Sequence, residues 1–159
     1  MPDYFANLQN ARKLLAEARS WEGTPFHPHA RLKGRGVDCV NLPLGIFQAI
    51  GFLGQVDLPR YTMDGGSHLD ASQLTAFIQS LGCFRAVNRP DEPLLAGDLL
   101  AMKLGRVEHH LGLYLYGARF LHVFRRQPVC ECDIEDPAYA RHITQVFRAA
   151  LISGHSTLQ

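Results

Sequence analysis

The first half of the chain shows the hydrophobic spacing of amphipathic helices. Apolar residues recur at intervals of three and four over residues 5–21, 39–51 and 69–81, and this interval matches the 3.6-residue turn of a helix. Residues 23–38, between the first two segments, are rich in glycine, proline and histidine, which favours an irregular loop. The pattern therefore predicts three helices and one long loop, and long loops in compact domains usually carry function.

In the second half of the chain the period changes to the alternation that is typical of strands. The predicted strands are 84–87, 98–104, 110–116, 120–124 and 146–152. Helices followed by adjacent strands are typical of an α+β fold. No repeat or shift of composition divides the sequence, so we expect a single domain over residues 1–159, with N-terminal helices packed on a C-terminal antiparallel β-sheet.

The third and fourth predicted strands each carry a histidine opposite an aliphatic stripe. If residues 116–118 form a three-residue turn, Leu113 lies opposite Leu121 and the two aliphatic stripes share one face of the hairpin. His122 is then the diagonal neighbour of His110 on the other face. A two-residue turn would put the histidines on opposite faces and expose one stripe. The hydrophobic pattern therefore predicts a paired His110 and His122.

Composition and charge exclude two classes of partner. The sequence has 16 Lys and Arg residues against 15 Asp and Glu residues, a formal net charge of +1, so overall charge would hold neither a nucleic acid nor an anionic membrane. The longest apolar stretch, residues 42–53, is interrupted by Pro43 and Gly45. It is also shorter than the roughly 20 residues that a membrane-spanning helix needs. We expect no nucleic-acid partner and no membrane span.

The N-terminal segment differs from a signal peptide. Asp3 stands where a signal peptide has its positive region, and the apolar positions that follow are spaced rather than continuous. This pattern predicts synthesis in the cytoplasm, where the four cysteines are expected to remain thiols.

Cys39 follows a glycine-rich loop and stands at the predicted start of the second helix. Pro43 fits this helix only in its first turn, which places the helix start at about residues 38–42. A thiol at a helix N-terminus has its thiolate stabilised and its pKa lowered, and the same backbone amides are able to bind an oxyanion. The alternative is a small buried apolar residue, which its position alone favours.

A nucleophilic cysteine needs a base within hydrogen-bond reach and a third group that orients the base. Cys39, His110 and His122 supply one candidate for each role. The alternative is that two half-buried strand histidines only satisfy each other's hydrogen bonds. His109 is a second candidate for the base, although its position in the alternation places it with the leucine stripe.

Five motifs occur in order along the chain. They are Trp21-Glu22-Gly23-Thr24-Pro25-Phe26, Gly36-Val37-Asp38-Cys39, Gly97-Asp98-Leu99-Leu100, His110-Leu111-Gly112-Leu113-Tyr114 and Leu121-His122-Val123. This set, within about residues 10–152, resembles the NlpC family of papain-like cysteine peptidases. The order of cysteine before histidine and the step of 12 residues between the two histidines also match that family.

The resemblance implies a papain-like core with Cys39 as nucleophile, His110 as general base and His122 as the residue that orients the base. It implies an acyl-enzyme reaction without a cofactor. The family mostly cleaves amide bonds in bacterial cell-wall stem peptides, often next to D-γ-glutamyl and diamino acid residues, so the expected partner is a peptidoglycan stem peptide. Short members without a wall-binding module are similar to those of phage tails and prophages, which implies phage tail proteins as partners and a location in the virion tail.

The sequence departs from the family pattern at two places. Phe26 stands where the family commonly has tyrosine, and Val40-Asn41 stands where it commonly has Ser-Gly. The missing hydroxyl groups bear on the oxyanion contact and on recognition of the substrate amine. Asp38 is retained, either to hold a substrate ammonium or to cap the helix.

Candidate substrate-binding residues accompany the proposed triad. They are Asp38, Phe26, His27 and Tyr114, with core packing as the alternative for Tyr114. His27-Pro28-His29 is interpreted as a loop along the cleft, because its spacing from Cys130 or Cys132 fits no standard zinc motif. We therefore predict no metal site and interpret Cys130 and Cys132 as two ordinary thiols on one face of a strand-like stretch.

Two other functions remain compatible with these residues. One is a different thiol acyl chemistry on the same fold, such as amidation, deamidation or lipid acyl transfer, since a fold does not determine the substrate. The other is a catalytically weak structural component of a tail or assembly, for which the departures at Phe26 and Val40-Asn41 are the sequence evidence.

Overall fold

Helices from the first half of the chain pack on an antiparallel sheet from the second half in the computed structural model, which describes residues 2–59, 71–104 and 107–151. The helices are α1 (Leu8–Ser20), α2 (Asn41–Ala49), α3 (Ala71–Ser80) and α4 (Pro137–Ala140), preceded by a 3-10 turn at Tyr4–Ala6. The strands are β1 (Arg31–Leu32), β2 (Gly36–Val37), β3 (Phe84–Ala86), β4 (Leu99–Leu104), β5 (Val107–Tyr116), β6 (Arg119–Phe124), β7 (Gln127–Asp133) and β8 (Ile143–Ala149).

The main sheet has six strands in the order β3-β8-β4-β5-β6-β7, and every neighbouring pair is antiparallel. The two short strands β1 and β2 pair separately. This architecture confirms the predicted α+β fold with N-terminal helices and a C-terminal antiparallel sheet. None of the described helices is long and apolar enough to cross a membrane.

The first helix begins later than predicted because Asn7 interrupts it. Asn7 has an extended backbone (ψ 121°), and its side chain accepts hydrogen bonds from the N–H groups of Gln9 (2.9 Å) and Asn10 (3.1 Å). An asparagine side chain that satisfies the first free N–H groups is a strong N-cap. The predicted helix over 5–21 is therefore a short turn followed by α1.

The second helix, α2, lies in the centre of the molecule. Its residues 41–47 are all buried, and its length of 9 residues falls inside the predicted range 39–51. Pro43 lies in its first turn, as predicted. Gly45 permits close packing, because a Cβ there would lie 2.7 Å from the Trp21 ring. The predicted third helix, 69–81, matches α3 from Ala71 onward, and residues 69–70 lie outside the described residues.

The two faces of the main sheet are buried in different ways. The face toward the helices is apolar and joins the core that contains α1 and α2; it includes Leu99, Ala101, Leu111, Leu113, Leu115, Leu121, Val123 and Phe147. The opposite face buries a smaller apolar cluster of Leu100, Met102, Phe120, Ile134 and Val146. We call this second face the outer face. His110 and His122 occupy alternate positions that belong to it.

The hairpin of β5 and β6 confirms the predicted register but not the predicted turn. Leu113 pairs with Leu121, as expected. The turn itself has two residues, Gly117 and Ala118, with φ values of 56° and 65°, and Tyr116 pairs with Arg119. A bulge in β5 between Tyr114 and Tyr116 adds one residue to that strand. The bulge reconciles a two-residue turn with the register that buries both leucine stripes.

The predicted loop and the strand-like stretch near the end of the chain both contain secondary structure. The loop over 23–38 holds the β1–β2 hairpin, and the stretch around Cys130 is strand β7 at the edge of the main sheet. β8 begins at Ile143, three residues before the predicted start. β7 shows no clear alternation of buried and exposed residues, so its sequence carries little of the signal from which strands are predicted.

Candidate active site

Cys39 lies in the turn between β2 and α2, and only 5% of its surface is exposed. Asp38 organises this turn. Its Oδ1 accepts hydrogen bonds from the N–H groups of Val40 (3.2 Å) and Asn41 (2.8 Å), and its Oδ2 accepts one from the N–H of His29 (2.8 Å). These contacts give the buried carboxylate the role of a cap.

The departures from the family pattern have structural partners. Val40 is buried in the main core. The Asn41 side chain donates to Asp38 Oδ1 (3.0 Å), and its own oxygen accepts from Arg31 Nε (2.7 Å). Arg31 also donates to Gln48 Oε1 at 3.0 Å. The residue at position 41 therefore links the capping carboxylate to the β1–β2 hairpin, which a glycine would not do.

Burial raises the pKa of the Cys39 thiol to about 12. The nearby Asp38 carboxylate raises it further, while hydrogen bonds from the backbone of Leu111, Cys39 and Val40 oppose both effects. The expectation of a lowered pKa at this helix N-terminus was wrong, because the cost of burying a thiolate exceeds the stabilisation from these amides. Cys39 is therefore a neutral thiol at rest.

Leu111 links the thiol to strand β5. Its backbone hydrogen-bonds Cys39, and Leu111 directly follows His110 in the chain. The fold thus brings Cys39 to the main chain beside His110, which the sequence alone did not establish. His109, the alternative base, has a side chain outside the described residues.

His110 and His122 form the predicted pair. His110 Nε2 lies 2.8 Å from His122 Nδ1, and the two residues are 1% and 0% exposed. The Phe124 ring stacks on His110 with a centroid distance of 4.0 Å and an interplanar angle of 8°. Stacking and the hydrogen bond together define the orientation of the His110 imidazole.

Both imidazoles are neutral at rest. Burial lowers the pKa of His110 well below its usual value, and the neighbouring His122 lowers it further. Burial also lowers the pKa of His122 to about 4. One proton lies between the two rings. If His110 Nε2–H donates it, the lone pair of His110 Nδ1 remains available to accept a proton.

His122 has a further partner, which residue spacing did not indicate. The Nε2 atom of His122 lies 3.2 Å from Cys132 Sγ. When His110 donates to His122 Nδ1, His122 carries its proton on Nε2 and donates it to this sulfur. Cys132 comes from the edge strand β7, where it pairs with Phe120 of β6. The weak strand pattern of β7 hid this neighbour.

The candidate substrate-binding residues separate into two groups. Phe26 is half-buried against the main core and forms a bridge with Val37. His27 is exposed, and its N–H donates to Val37 O at 3.1 Å. Phe26 and His27 therefore both contact Val37 of β2, two residues before Cys39. Tyr114 instead packs in the outer-face cluster, and its hydroxyl accepts from the Ala118 N–H at 3.1 Å. These contacts favour the packing alternative for Tyr114, and its role in substrate binding stays a prediction.

Comparison with known proteins places this geometry in a family. The model of the NlpC/P60 family matches residues 21–148. A protein of the NLP/P60 family from Staphylococcus aureus subsp. aureus Mu50, described as similar to a lipoprotein, shares the fold with a TM-score of 0.62 at 19% identity. That match covers 92% of this chain and 43% of the S. aureus chain. No match was found among curated proteins.

Two proteins of Mycobacterium tuberculosis have the same fold. The peptidoglycan hydrolase RipB has a TM-score of 0.58 at 18% identity, over 96% of this chain and 69% of RipB. RipD, described as a non-catalytic NlpC/p60 domain protein adapted to peptidoglycan binding, has a TM-score of 0.55 at 17% identity, over 90% and 98% of the two chains. Since the family model spans Cys39, His110 and His122 and most of the chain, this protein belongs to the NlpC/P60 family.

Proposed function

We propose that this protein is a cysteine peptidase that hydrolyses an amide bond in peptidoglycan stem peptides. The observation that carries the proposal is the buried contact of 2.8 Å between His110 Nε2 and His122 Nδ1 in a chain of the NlpC/P60 family. Cys39, hydrogen-bonded to the backbone of Leu111, which follows His110 in the chain, is the nucleophile in this proposal. The peptidoglycan hydrolase RipB has the same fold, which supports the choice of substrate class.

The neutral resting state suggests how the reaction begins. Because burial favours the uncharged forms of Cys39 and His110, the proton leaves the thiol as Sγ attacks the carbonyl carbon. His110 Nδ1 accepts that proton. His122 Nδ1 accepts a hydrogen bond from His110 Nε2–H and stabilises the imidazolium that forms. The Cys39 backbone N–H donates to the developing oxyanion.

The second half of the reaction restores the enzyme. His110 returns the proton to the leaving amine as the carbon–nitrogen bond breaks, which leaves a thioester on Cys39. Water then attacks the thioester, His110 takes a proton from that water, and the proton returns to the sulfur as the acid product leaves. Besides the substrate and this water, the reaction uses side chains and backbone groups of the chain itself.

Peptidoglycan binding without hydrolysis is the second candidate. The relative RipD is described as non-catalytic and adapted to peptidoglycan binding. The raised pKa of Cys39 and the Val40-Asn41 departure both favour this alternative. Cytoplasmic synthesis and association with a phage tail remain predictions from the sequence.

The test is release of new amino groups from purified peptidoglycan. We expect Cys39→Ala to lower the rate by about 1,000-fold or more, because no other group replaces the nucleophile. Cys83→Ser is the control, since Cys83 is a partly buried thiol with no place in the proposed site. Its rate should equal that of the wild type.

The two candidates give different results in this assay. If the wild type releases no amines but sediments with peptidoglycan, and Cys39→Ala sediments equally well, hydrolysis is ruled out and binding is supported. If Cys39→Ala retains the wild-type rate, the nucleophile has been assigned to the wrong residue.

A further inference from the structure

Three side chains converge on the outer face beside the proposed triad. His122 Nε2 lies 3.2 Å from Cys132 Sγ, and Cys132 Sγ lies 3.6 Å from Cys130 Sγ. All three donor atoms lie within 4.8 Å of one another. Strand register brings them together, because His122 of β6 pairs with Cys130 of β7 and Cys132 lies two residues further on the same face.

We propose that His122, Cys130 and Cys132 form a binding site for a zinc-class metal ion. Two thiolates and one imidazole are donors that such ions prefer, and Cys₂His is an established ligand set for zinc. The site shares Cys130 and Cys132 with the set for which the sequence predicted no metal, but His122 takes the place of His27 and His29.

The distances support a site that is nearly formed. A tetrahedral ion with bonds of about 2.3 Å to sulfur and about 2.0 Å to nitrogen separates its two sulfur ligands by about 3.8 Å and a sulfur from a nitrogen by about 3.5 Å. The observed separations of 3.6 Å and 3.2 Å are shorter by only a few tenths of an ångström. The third separation, between His122 Nε2 and Cys130 Sγ, is within 4.8 Å, and rotation of the Cys130 side chain would adjust it to the ion.

The surroundings hold the imidazole as a metal ligand is usually held. His122 Nδ1 contacts His110 Nε2 at 2.8 Å, and a hydrogen bond on the second ring nitrogen normally orients a ligating histidine. The rings of Phe120 and Tyr139 pack around His122 at centroid distances of 4.8 Å and 5.2 Å. Cys130 and Cys132 are partly exposed, so an ion reaches them from solvent. Binding releases their two thiol protons to solvent.

Occupation of the site has a consequence that rests on the proposed function. A metal bound to His122 Nε2 takes the lone pair of that atom, so the ring proton moves to Nδ1 and is donated to His110 Nε2. A neutral His110 that accepts at Nε2 carries its own proton on Nδ1. It is then unable to take a proton from Cys39. Metal binding and general-base catalysis therefore exclude each other.

The binding test uses Co²⁺ added to the reduced full-length protein. Thiolate coordination produces a sulfur-to-cobalt charge-transfer band, and we expect it to saturate at one ion per chain. Zn²⁺ should displace Co²⁺ and remove the band. In Cys130→Ser and Cys132→Ser the affinity for Zn²⁺, measured by chelator competition, should fall by about 100-fold or more, because each variant removes one of three ligands. Cys83→Ser, the matched control, should bind as the wild type does.

The activity test compares each variant with and without Zn²⁺. Zinc should inhibit hydrolysis by the wild type and by Cys83→Ser at one ion per chain, and inhibition of Cys130→Ser should require about 100-fold more zinc. Equal inhibition of the wild type and Cys130→Ser would instead place the inhibitory ion at Cys39. If the wild type still hydrolyses peptidoglycan when zinc saturates the site, metal binding and general-base catalysis do not exclude each other.

The outcomes separate this inference from the proposed function. The metal site is overturned if the wild type shows no charge-transfer band with Co²⁺, or if Cys130→Ser binds Zn²⁺ with the affinity of the wild type. Neither result bears on the proposed hydrolysis, which amine release measures separately. A protein that binds Co²⁺ through these cysteines but releases no amines from peptidoglycan supports the metal site and contradicts the proposed function.

Discussion

The two faces of the main sheet bury different kinds of side chain. The face toward the helices buries aliphatic residues such as Leu111, Leu113 and Leu121. The outer face buries polar groups among a smaller apolar cluster, including His110 and His122 at 1% and 0% exposure. Buried polar groups are tolerated when they are hydrogen-bonded, and these two rings bond each other. The comparison separates a face that packs against the helices, in the core that also contains Cys39, from a face that carries the two histidines.

The largest expected effect tests this separation through activity. His110→Ala should lower the rate of peptidoglycan hydrolysis by about 1,000-fold or more, since it removes the general base. Leu113→Ala, on the opposite face of the same strand, should lower stability but change the rate of the folded protein by less than about tenfold. Both rates are measured as amine release at a temperature where circular dichroism shows both variants folded. If His110→Ala and Leu113→Ala hydrolyse peptidoglycan at similar rates, the two faces do not differ in function.

The next effect concerns a second polar pair on the outer face. Asp98 and Arg148 are buried, and their side chains are joined by hydrogen bonds of 2.9 Å and 2.8 Å. Asp98→Ala removes two hydrogen bonds from the Arg148 guanidinium, which keeps the carboxylates of Asp3 and Glu92 at 3.7 Å and the carbonyl of Pro93 at 2.7 Å. The free energy of unfolding should therefore fall by about 2–3 kcal/mol. Urea denaturation measures the change. The double variant Asp98→Ala/Arg148→Met should regain part of the loss, and a further loss would contradict the pairing.

The histidine pair should make stability depend on pH. Burial holds the pKa of His122 at about 4 and that of His110 well below its usual value, while unfolded histidine titrates near 6.5. Between about pH 6.5 and 4 the unfolded chain therefore binds more protons than the folded chain, and stability falls as the pH falls. From pH 7.5 to 4.5 we expect a loss of about 2 kcal/mol from His122 alone.

Urea denaturation across this range measures the pH effect. In His122→Gln the dependence on pH should be shallower, whatever the stability of the variant at pH 7.5. An equal slope in the two proteins would show that other groups cause the dependence.

The smallest expected effect concerns the space beside the histidines. A Cβ at Gly112 would lie 2.8 Å from Met102 Cε and 2.9 Å from Phe120 Cδ2. Gly112→Ala should therefore lower the free energy of unfolding by about 1–3 kcal/mol through overpacking on the outer face. Because Phe120 packs against His122, the rate of hydrolysis should fall as well. The double variant Gly112→Ala/Met102→Ala should lose less stability than the sum of the two single variants, and additive losses would contradict the clash with Met102.

The sequence predicted the features that depend on local periodicity. Alternation placed His110 opposite the leucine stripe, and burial of both stripes selected the Leu113–Leu121 register that the structure confirms. These predictions succeed because a one-residue slip would expose an entire stripe. The predicted turn of three residues was wrong, because a bulge supplied the extra residue.

Features that depend on distant segments were not predictable in the same way. β7 is an edge strand with no clear alternation, so the contact between His122 and Cys132 had no signal beyond the shared face of Cys130 and Cys132. The pKa of Cys39 was predicted in the wrong direction, since a helix N-terminus is visible in the sequence but the depth of burial is not.

By itself the sequence determined the order of the elements, the face on which each histidine lies and the motifs of the NlpC/P60 family. Each of these follows from residue spacing, which the backbone period converts directly into direction. The tertiary structure alone decided that Cys39 reaches the backbone beside His110, that its thiol is neutral and that two cysteines of an edge strand meet His122. These depend on packing between segments far apart in the chain, because desolvation and side-chain contact are properties of the assembled core and not of local spacing.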